Sequence, residues 1–447
     1  MDNQGWHGQT YEVDRYDPEL LRAIFDGEGP AAAGGAPDED ASEWDGEPWV
    51  GSLVVGVLGG PASSTNRQGF NSHGVGVNGR EDTADWGWLV QFPEDKLTEL
   101  RLKLSAAQKA AQKGSGKGSL VRIGMVECLV RPAGGRVGGL YFSWIVEGLG
   151  VRISIMDREK PFGETPNVRV HVGAIRLLHE RLDRVHAATK LLVEEMGGQI
   201  VGEKLSRVDA CLDLVGVGVS EFVEPFVRGR CIRRGRKFGV YGDGLSFTGF
   251  HVGNGAIRLR IYDKVAECKG DAVKWDLMVA RVYGGEVPEV ASRVEFQLRR
   301  KVLKECEVET VADWMVKRGA ILEYLNREWF RLTDDDVDRD NSTRFGPSRL
   351  WGLVCEGFAT WAGPAFIAAV RTRVKRSAMD IEALVRQGIG CLTSAAARRA
   401  CSIHTMSDVV RMMIEYVESY EYLEPSVVAR YQAKRAESDA SLCLGGG

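Results

Sequence analysis

Three stretches of this chain carry charged side chains at every second position of a segment that is otherwise apolar. Side chains two residues apart in a strand point to the same face, so each stretch predicts a strand with one apolar and one charged face. Burying one of these charges without a partner would cost several kcal/mol. The charged face is therefore predicted to hold either a network of ion pairs or a functional site. Its members are Arg207, Asp209, Cys211 and Asp213; Arg258, Arg260, Tyr262 and Lys264; and Arg293, Glu295 and Gln297.

If the three predicted strands are neighbours, Asp209, Tyr262 and Glu295 meet on one surface. Carboxylate oxygens suit Mg²⁺ or Mn²⁺, which bind phosphate oxygens. A tyrosine beside such an ion can attack phosphorus and form a covalent phosphotyrosine. The competing interpretation is structural, because Arg–Asp and Arg–Glu pairs on a sheet are commonly salt-bridge ladders and a strand tyrosine commonly packs.

At these motifs the sequence resembles the replication initiation factor family. That family comprises initiators of rolling-circle plasmids, related phage initiators and relaxases of some integrative conjugative elements. The resemblance covers about residues 120–330. Its three motifs occur in the family's order and strand context: Arg207-Val-Asp209 with Asp213, Arg260-Ile-Tyr262-Asp-Lys264 with Glu267, and Arg293-Val-Glu295 followed by Leu298-Arg-Arg300.

The resemblance implies a nickase that leaves a 5′-phosphotyrosine and a free 3′-hydroxyl. Tyr262 would be the nucleophile, and Arg207, Arg260 and Lys264 would position the phosphate. The metal ligands would be Asp209 and Glu295, with Asp213 beside them, binding Mg²⁺ or Mn²⁺. The implied partners are an origin that is locally single-stranded or cruciform and a host helicase of superfamily 1, and a homodimer is left open.

The predicted fold class is α+β, with antiparallel sheet units and helices on one face. The sequence predicts strands at 49–58, 237–241 and 245–252, a loop at 59–82 and a helix at 174–196. Strand patterns at 151–157 and 167–172, followed by that helix, are repeated at 258–264 and 293–298 before another helix, which predicts two copies of one unit. The resemblance implies units like those of the TATA-binding protein. The predicted boundaries are an acidic disordered tail at 1–47, a first unit at 48–200, a second unit with the catalytic motifs at 201–330, a linker at 331–347 and a helical region at 348–447.

Charge is distributed unevenly along the chain, whose formal net charge is −4. Residues 1–50 contain thirteen acidic and two basic side chains; this tail either aids solubility or competes with nucleic acid for a basic groove. Clusters of one sign suggest phosphate contacts. The densest basic cluster predicts a DNA-binding loop of Arg228, Arg230, Arg233, Arg234, Arg236 and Lys237. The helical region at 348–447 is either a DNA-binding module or a plain helical bundle.

Several other classes of site are excluded by spacing. The nine cysteines include no Cys-x-x-Cys pair, which favours a reducing cytosol without structural zinc. The glycine-rich run at 114–119 lacks the spacing of a phosphate-binding loop. No apolar run is long enough to span a bilayer, so no membrane contact is predicted.

The sequence is compatible with three functions. The preferred one is a rolling-circle replication initiator in the cytoplasm. The alternatives are a conjugative relaxase with the same chemistry and a non-catalytic DNA-binding regulator that uses the charged face only to bind phosphate.

Overall fold

The computed structural model describes residues 75–363, except 115, 244–245 and 338–343, together with the backbone of Gln9–Val13 and Gly69–Phe70 and isolated positions after 363. The chain divides into two compact units, Met1–Thr372 and Arg373–Gly447. Most of the predicted acidic tail, a strand predicted at 49–58 and most of the predicted helical region lie outside the described residues. The domain boundaries inferred from the sequence therefore stay predictions.

Within the described residues, the first unit is α+β and is built on a large antiparallel sheet of thirteen strands. Alternate residues of its strands are apolar, as in Val168, Val170 and Val172, and these are buried on the face that packs against helices. Across the sheet the strands are β1 (Gln9–Val13), β13 (Phe238–Asp243), β14 (Ser246–Val252), β15 (Ile257–Asp263), β16 (Ala291–Arg299), β11 (Gln199–Val215), β3 (Gly76–Gln91), β10 (Val168–Val172), β9 (Val151–Ile155), β8 (Trp144–Gly148), β5 (Val126–Val130) and β4 (Ser119–Ile123), with β2 (Gly69–Phe70) against β3.

Two small ribbons lie outside the large sheet. They pair β6 (Gly135–Val137) with β7 (Leu140–Phe142), and β12 (Cys231–Arg233) with β17 (Phe330–Leu332). The helices are α1 (Glu94–Lys113), α2 (Ala174–His179), α3 (Leu182–Glu195), α4 (Ser220–Val227), α5 (Lys264–Cys268), α6 (Ala272–Arg281), α7 (Arg300–Glu305), α8 (Val311–Tyr324) with a π-helical turn at Leu325–Trp329, and α9 (Arg349–Ala362).

Each half of the sheet follows the same order of elements. A long strand, β3 or β11, is followed by a helix and then by a meander whose last strand returns to pair with the long strand. The two long strands pair with each other along most of their length and join the halves. The motif strands β15, β16 and β11 are consecutive neighbours in the second half.

Helices and aromatic side chains cover the apolar face of the second half. Phe226 of α4 stacks on Phe250 of β14 with ring centroids 4.1 Å apart, and Phe330 packs edge-on against Trp351 of α9. Helix α8 begins at a capping box in which Thr310 and Asp313 satisfy each other's backbone N–H groups. Among the described helices, none is long and apolar enough to cross a membrane.

The structure differs from the sequence prediction in several elements. The end of the loop predicted over 59–82 instead contributes the first residues of β3, from Gly76, because β11 pairs with residues 76–81. The helix predicted over 174–196 is divided between α2 and α3, since Glu180 has extended backbone angles. Strand β15 ends at Asp263, whose side chain caps α5, so Lys264 begins a helix instead of continuing the strand face.

Candidate active site

The charged residues of the three motifs lie together on the sheet face opposite the apolar core. Strand pairing sets them in rows across β15, β16 and β11. Glu295 lies between Arg260 and Cys211, and Arg293 lies between Tyr262 and Asp213. We call the part around Asp209, Arg260 and Glu295 the open end, and the part around Asp213 and Arg293 the covered end.

At the open end, one tyrosine, two carboxylates and two guanidinium groups form a continuous network. The Tyr262 hydroxyl donates to Glu295 Oε2 at 2.8 Å. Arg260 Nη2 donates to Glu295 Oε1 at 2.5 Å and lies 3.4 Å from Asp209 Oδ2. Arg207 forms a bidentate pair with Asp209 at 2.9 and 2.5 Å. The phenol oxygen and both carboxylates therefore converge around Arg260.

The carboxylates of the open end are buried, and the guanidinium groups reach solvent. Asp209 and Glu295 side chains are 1% and 3% exposed, whereas those of Arg207 and Arg260 are 31% and 29% exposed. Tyr262 is partly exposed. An incoming phosphate would meet the two arginines first, and their cationic donors suit its oxygens.

Burial and neighbouring charges shift the pKa values of Asp209, Tyr262 and Arg260. Burial raises the pKa of Asp209 to about 6, although Arg207 opposes it, and the nearby Glu295 adds to the rise. Burial and Glu295 also raise the pKa of Tyr262 well above its ordinary value. Glu295 raises the pKa of Arg260, which keeps that side chain charged. Tyr262 therefore needs a proton acceptor to become a nucleophile, and Glu295 is in hydrogen-bond contact with it.

The covered end holds a second charged network beneath α6. Arg293 pairs with Asp213 at 2.7 and 2.9 Å and with Asp82 at 2.6 Å, and Arg80 pairs with Asp213 at 2.6 Å. The Met278 sulfur of α6 contacts both arginines. Asp213 and Arg293 are wholly buried. Asp213 is therefore separated from the open end and is already held by two guanidinium groups.

Lys264 also belongs to the covered end. Its ammonium group pairs with Glu267 at 2.6 Å, and Lys274 of α6 pairs with the same carboxylate at 2.6 Å. Burial and Arg293 lower the pKa of Lys264. Burial alone would raise the pKa of Glu267, but the two lysines lower it to about 2. The Lys264 ammonium group lies 5.5 Å from the centre of the Tyr262 ring, close enough for its charge to act on that ring. Because Lys264 is buried, its ammonium group is not exposed to a ligand.

The predicted DNA-binding loop lies on the other side of the sheet from Tyr262. Its strand β12 pairs with β17, and Arg234 lies over the Tyr324 ring of α8, in the layer that packs on the apolar face. Acidic side chains pair with three of the six cations: Arg228 with Glu224, Arg230 with Asp336 and Arg234 with Glu328.

The other three loop cations have different surroundings. Arg233 donates to the backbone carbonyls of Gly235 and Arg236. Arg236 and Lys237 are exposed, and no acidic partner for either is found in the described part of the chain. The structure therefore does not bring the loop together with the open end.

Two residues next to the open end, Tyr241 of β13 and His251 of β14, are not in the predicted set of site residues; the sequence left open whether Tyr241 acts as a second nucleophile. The Tyr241 hydroxyl lies 2.8 Å from His251 Nδ1, and His251 is the cross-strand neighbour of Arg260. Their strands were predicted, but only the register across β13, β14 and β15 brings these side chains to the motif face.

The open end offers a pair of carboxylates to a metal ion. No group of three His, Cys, Asp or Glu side chains that could hold a metal is present in the ranges described. Asp209 and Glu295 both face Arg260 Nη2, so one cationic nitrogen lies between two carboxylates. Such oxygens suit Mg²⁺ or Mn²⁺, and the pair fits one of these ions in chemistry if Arg260 turns outward. Asp213, which lies at the covered end, is not part of this pair of carboxylates.

Comparisons with solved structures found a similarity to this chain. No protein-family model and no curated protein matches the chain. The solved structure of a rolling circle replication initiator protein from Geobacillus stearothermophilus is similar with a TM-score of 0.37 and 14% sequence identity, covering 66% of this chain and 100% of that chain. Similarity at this level carries no argument about the fold or the activity of this chain.

Proposed function

We propose that the chain is a rolling-circle replication initiator that nicks one DNA strand through Tyr262. The observation that carries the proposal is the hydrogen bond from the Tyr262 hydroxyl to Glu295 Oε2 at 2.8 Å. It joins a partly exposed phenol to a proton acceptor on a surface that also presents Arg207 and Arg260. A nucleophile in contact with its base is the usual arrangement for covalent catalysis.

In the proposed reaction, Arg260 and Arg207 hold the non-bridging oxygens of a phosphodiester above Tyr262. Glu295 accepts the phenolic proton as the Tyr262 oxygen attacks phosphorus. The P–O bond to Tyr262 forms, the P–O3′ bond breaks, and the leaving 3′ oxygen takes a proton from water. The two guanidinium groups also stabilise negative charge that develops on the phosphate oxygens. The product is a 5′-phosphotyrosine with a free 3′-hydroxyl.

Asp209 and Glu295 would hold Mg²⁺ or Mn²⁺, which would polarise the phosphodiester and favour displacement at phosphorus. Arg260 would then pair with the phosphate instead of with the carboxylates. We leave Asp213 and Lys264 out of the phosphate-binding and metal-binding set, because both are buried at the covered end.

The remaining parts of the proposal follow from the resemblance and the charge pattern. They are duplicated sheet units like those of the TATA-binding protein, an origin that presents single-stranded or cruciform DNA, a helicase of superfamily 1, a homodimer and a cytosolic location. The open end would serve a conjugative relaxase equally well. A neighbouring origin with an inverted repeat would favour replication, whereas neighbouring coupling-protein genes would favour conjugation.

One observation favours a different class of function, a non-catalytic DNA-binding regulator. Both carboxylates of the open end already pair with arginines, as in a structural salt-bridge ladder. Such a protein would bind DNA and leave it intact.

The test uses a supercoiled plasmid that carries the gene of this chain with its flanking sequence. With Mg²⁺ or Mn²⁺, we expect a nicked circle and a covalent protein–DNA adduct, both sensitive to a chelator. Tyr262→Phe is expected to lower the nicking rate at least about 100-fold, because the main nucleophile is lost. Tyr141→Phe is the matched control, since Tyr141 is 58% exposed on β7. Unchanged nicking by Tyr262→Phe would overturn the assignment of the nucleophile, and binding without any nick would favour the regulator.

A further inference from the structure

A second tyrosine hydroxyl lies beside the open end and has its own proton acceptor. Tyr241 is partly exposed, and its hydroxyl lies 2.8 Å from His251 Nδ1. Arg258 Nη2 approaches the same hydroxyl at 3.4 Å. His251 is only 2% exposed. Tyr241 thus has a base and a guanidinium group beside it, as Tyr262 has, except that Arg258 contacts the phenol whereas Arg260 contacts the base Glu295.

Strand register brings the two tyrosines to one row of the sheet. Gly249 of β14 is the cross-strand partner of both Tyr241 and Tyr262, so no side chain stands between them. A Cβ atom at Gly249 would lie 2.3 Å from the Ile261 carbonyl oxygen, which a larger residue could not relieve without moving the backbone. With strands about 4.8 Å apart, the backbones of the two tyrosines are separated by roughly 10 Å.

Arg260 lies between the two proton acceptors. It is the cross-strand neighbour of His251 on one side and of Glu295 on the other. Glu295 and Asp209 raise the pKa of Arg260 most, and both phenol groups add to the rise. The same guanidinium group is therefore within electrostatic reach of both tyrosines.

We propose that Tyr241 is a second nucleophile of this site, acting on a DNA phosphodiester while Tyr262 carries the covalently bound strand. The proposal rests on the proposed function. In the second cleavage, the bond from Tyr241 oxygen to phosphorus forms and the P–O3′ bond breaks. The phenolic proton passes to His251 Nδ1, and the leaving 3′ oxygen takes a proton from water.

The new 3′-hydroxyl then attacks the phosphotyrosine at residue 262. A P–O3′ bond forms as the 3′-hydroxyl proton passes to water, the bond from phosphorus to the Tyr262 oxygen breaks, and Tyr262 regains a proton from Glu295. Each step replaces one phosphoester bond by another, so no external energy source is required. A chain with two nucleophiles can in this way release a closed circle and keep the other strand attached.

His251 is the proton acceptor in hydrogen-bond contact with Tyr241. Burial, with Arg258 and Arg260, lowers the pKa of His251 to about 3, so the imidazole is neutral and can accept a proton but is a weak base. Burial raises the pKa of Tyr241, although Arg258 and Arg260 oppose it.

The test maps the covalent adduct to individual tyrosines on the full chain. After reaction with the same plasmid, nuclease and trypsin treatment yields residues 238–258, whose only tyrosine is Tyr241, and residues 261–264, which contain Tyr262. We expect nucleotide on both peptides in the unmodified chain, and on 238–258 alone in Tyr262→Phe. His251→Gln should lower the adduct on 238–258 about 100-fold, since a general base is lost, while nucleotide is still found on 261–264, because the first cleavage does not use His251.

The outcomes separate this proposal from the proposed function. Nucleotide on 261–264 with none on 238–258, in both the unmodified chain and His251→Gln, would overturn the second nucleophile alone. Nucleotide on neither peptide would overturn both. An adduct at Tyr241 that is as abundant in His251→Gln as in the unmodified chain would also overturn the proposal, because His251 would not act as its base.

Discussion

The open end and the covered end of the charged face contain the same kinds of side chains on the same strands, yet they differ in what covers them. Asp209 and Asp213 lie four residues apart on β11, and Glu295 and Arg293 lie two apart on β16. Helix α6 and the turn after it lie over the covered end, where Asn78 donates to the Val282 carbonyl. The open end has no such contact with α6 among the described residues.

The presence of α6 over one end decides which partners the charged side chains can bind. Beneath α6, Arg293 and Arg80 meet Asp82 and Asp213 in a largely buried network, and this network links three neighbouring strands, β3, β11 and β16. At the open end the arginines are partly exposed and can exchange a carboxylate for a phosphate. Side-chain pattern alone thus does not separate a structural network from a reactive one.

The largest difference between the two ends should appear in stability. Arg293→Met leaves Asp213 and Asp82 without their main partner and is expected to lower the free energy of unfolding by about 3–5 kcal/mol. Arg260→Met should cost only about 1 kcal/mol, because Asp209 keeps Arg207 and Glu295 keeps Tyr262, while nicking falls about 100-fold. Urea unfolding and the plasmid assay measure both. Equal losses of stability would contradict the distinction between the ends.

The two aspartates of β11 should respond to pH in opposite directions. Burial raises the pKa of Asp209 from 3.8 to about 6, so the folded state binds more protons and stability falls as pH rises from about 4 to about 6, by roughly 3 kcal/mol. Burial opposes the effect at Asp213, but Arg293 and Arg80 lower its pKa. The stability that Asp213 contributes is therefore fully present above the pKa that this group has in the unfolded chain. It is lost only as the pH falls through the lower pKa of the folded state.

Urea unfolding of Asp209→Asn at a series of pH values, with a chelator present, checks this prediction. The variant should lack the fall in stability that the unmodified chain has between about pH 4 and 6. Identical pH slopes in both proteins would show that Asp209 titrates normally in the folded state.

A smaller effect concerns the basic loop, where paired and unpaired cations can be compared directly. The double change Arg236→Gln with Lys237→Gln removes two exposed cations and should lower the salt slope of single-stranded DNA binding by about 1.4. Arg230→Gln with Arg234→Gln removes cations that already have carboxylate partners and should change the slope less. Fluorescence anisotropy at several salt concentrations measures both, and equal slopes would argue against phosphate contact by the unpaired cations.

The smallest expected effect concerns a tyrosine of the covered region. Tyr283 is 4% exposed, and its hydroxyl is buried without a hydrogen-bond partner among the described residues. Tyr283→Phe should leave nicking unchanged and alter stability by no more than about 1 kcal/mol, in the stabilising direction, because a buried hydroxyl without a partner is removed. A clear loss of stability in thermal unfolding would reveal a partner for this hydroxyl.

Some parts of the site could be predicted from sequence because they depend on local geometry. The two-residue period of a strand predicted that Arg207 and Asp209 share a face of β11 and that Arg260 and Tyr262 share a face of β15. The structure has both pairs arranged in this way. Lys264 broke the pattern, since Asp263 caps a helix at that point. The two-residue period of a strand does not predict where the strand ends, and Lys264 lies beyond that end in a helix that Asp263 caps.

The sequence by itself determined which side chains share a face of each motif strand, because that property repeats every two residues within one strand. Only the tertiary structure decided which strands are neighbours, that Gly249 separates Tyr241 from Tyr262, and that α6 closes over Asp213 but not over Asp209. These features depend on hydrogen-bond register and packing between residues distant in the chain, such as Asn78 with Val282, and no local pattern encodes such contacts.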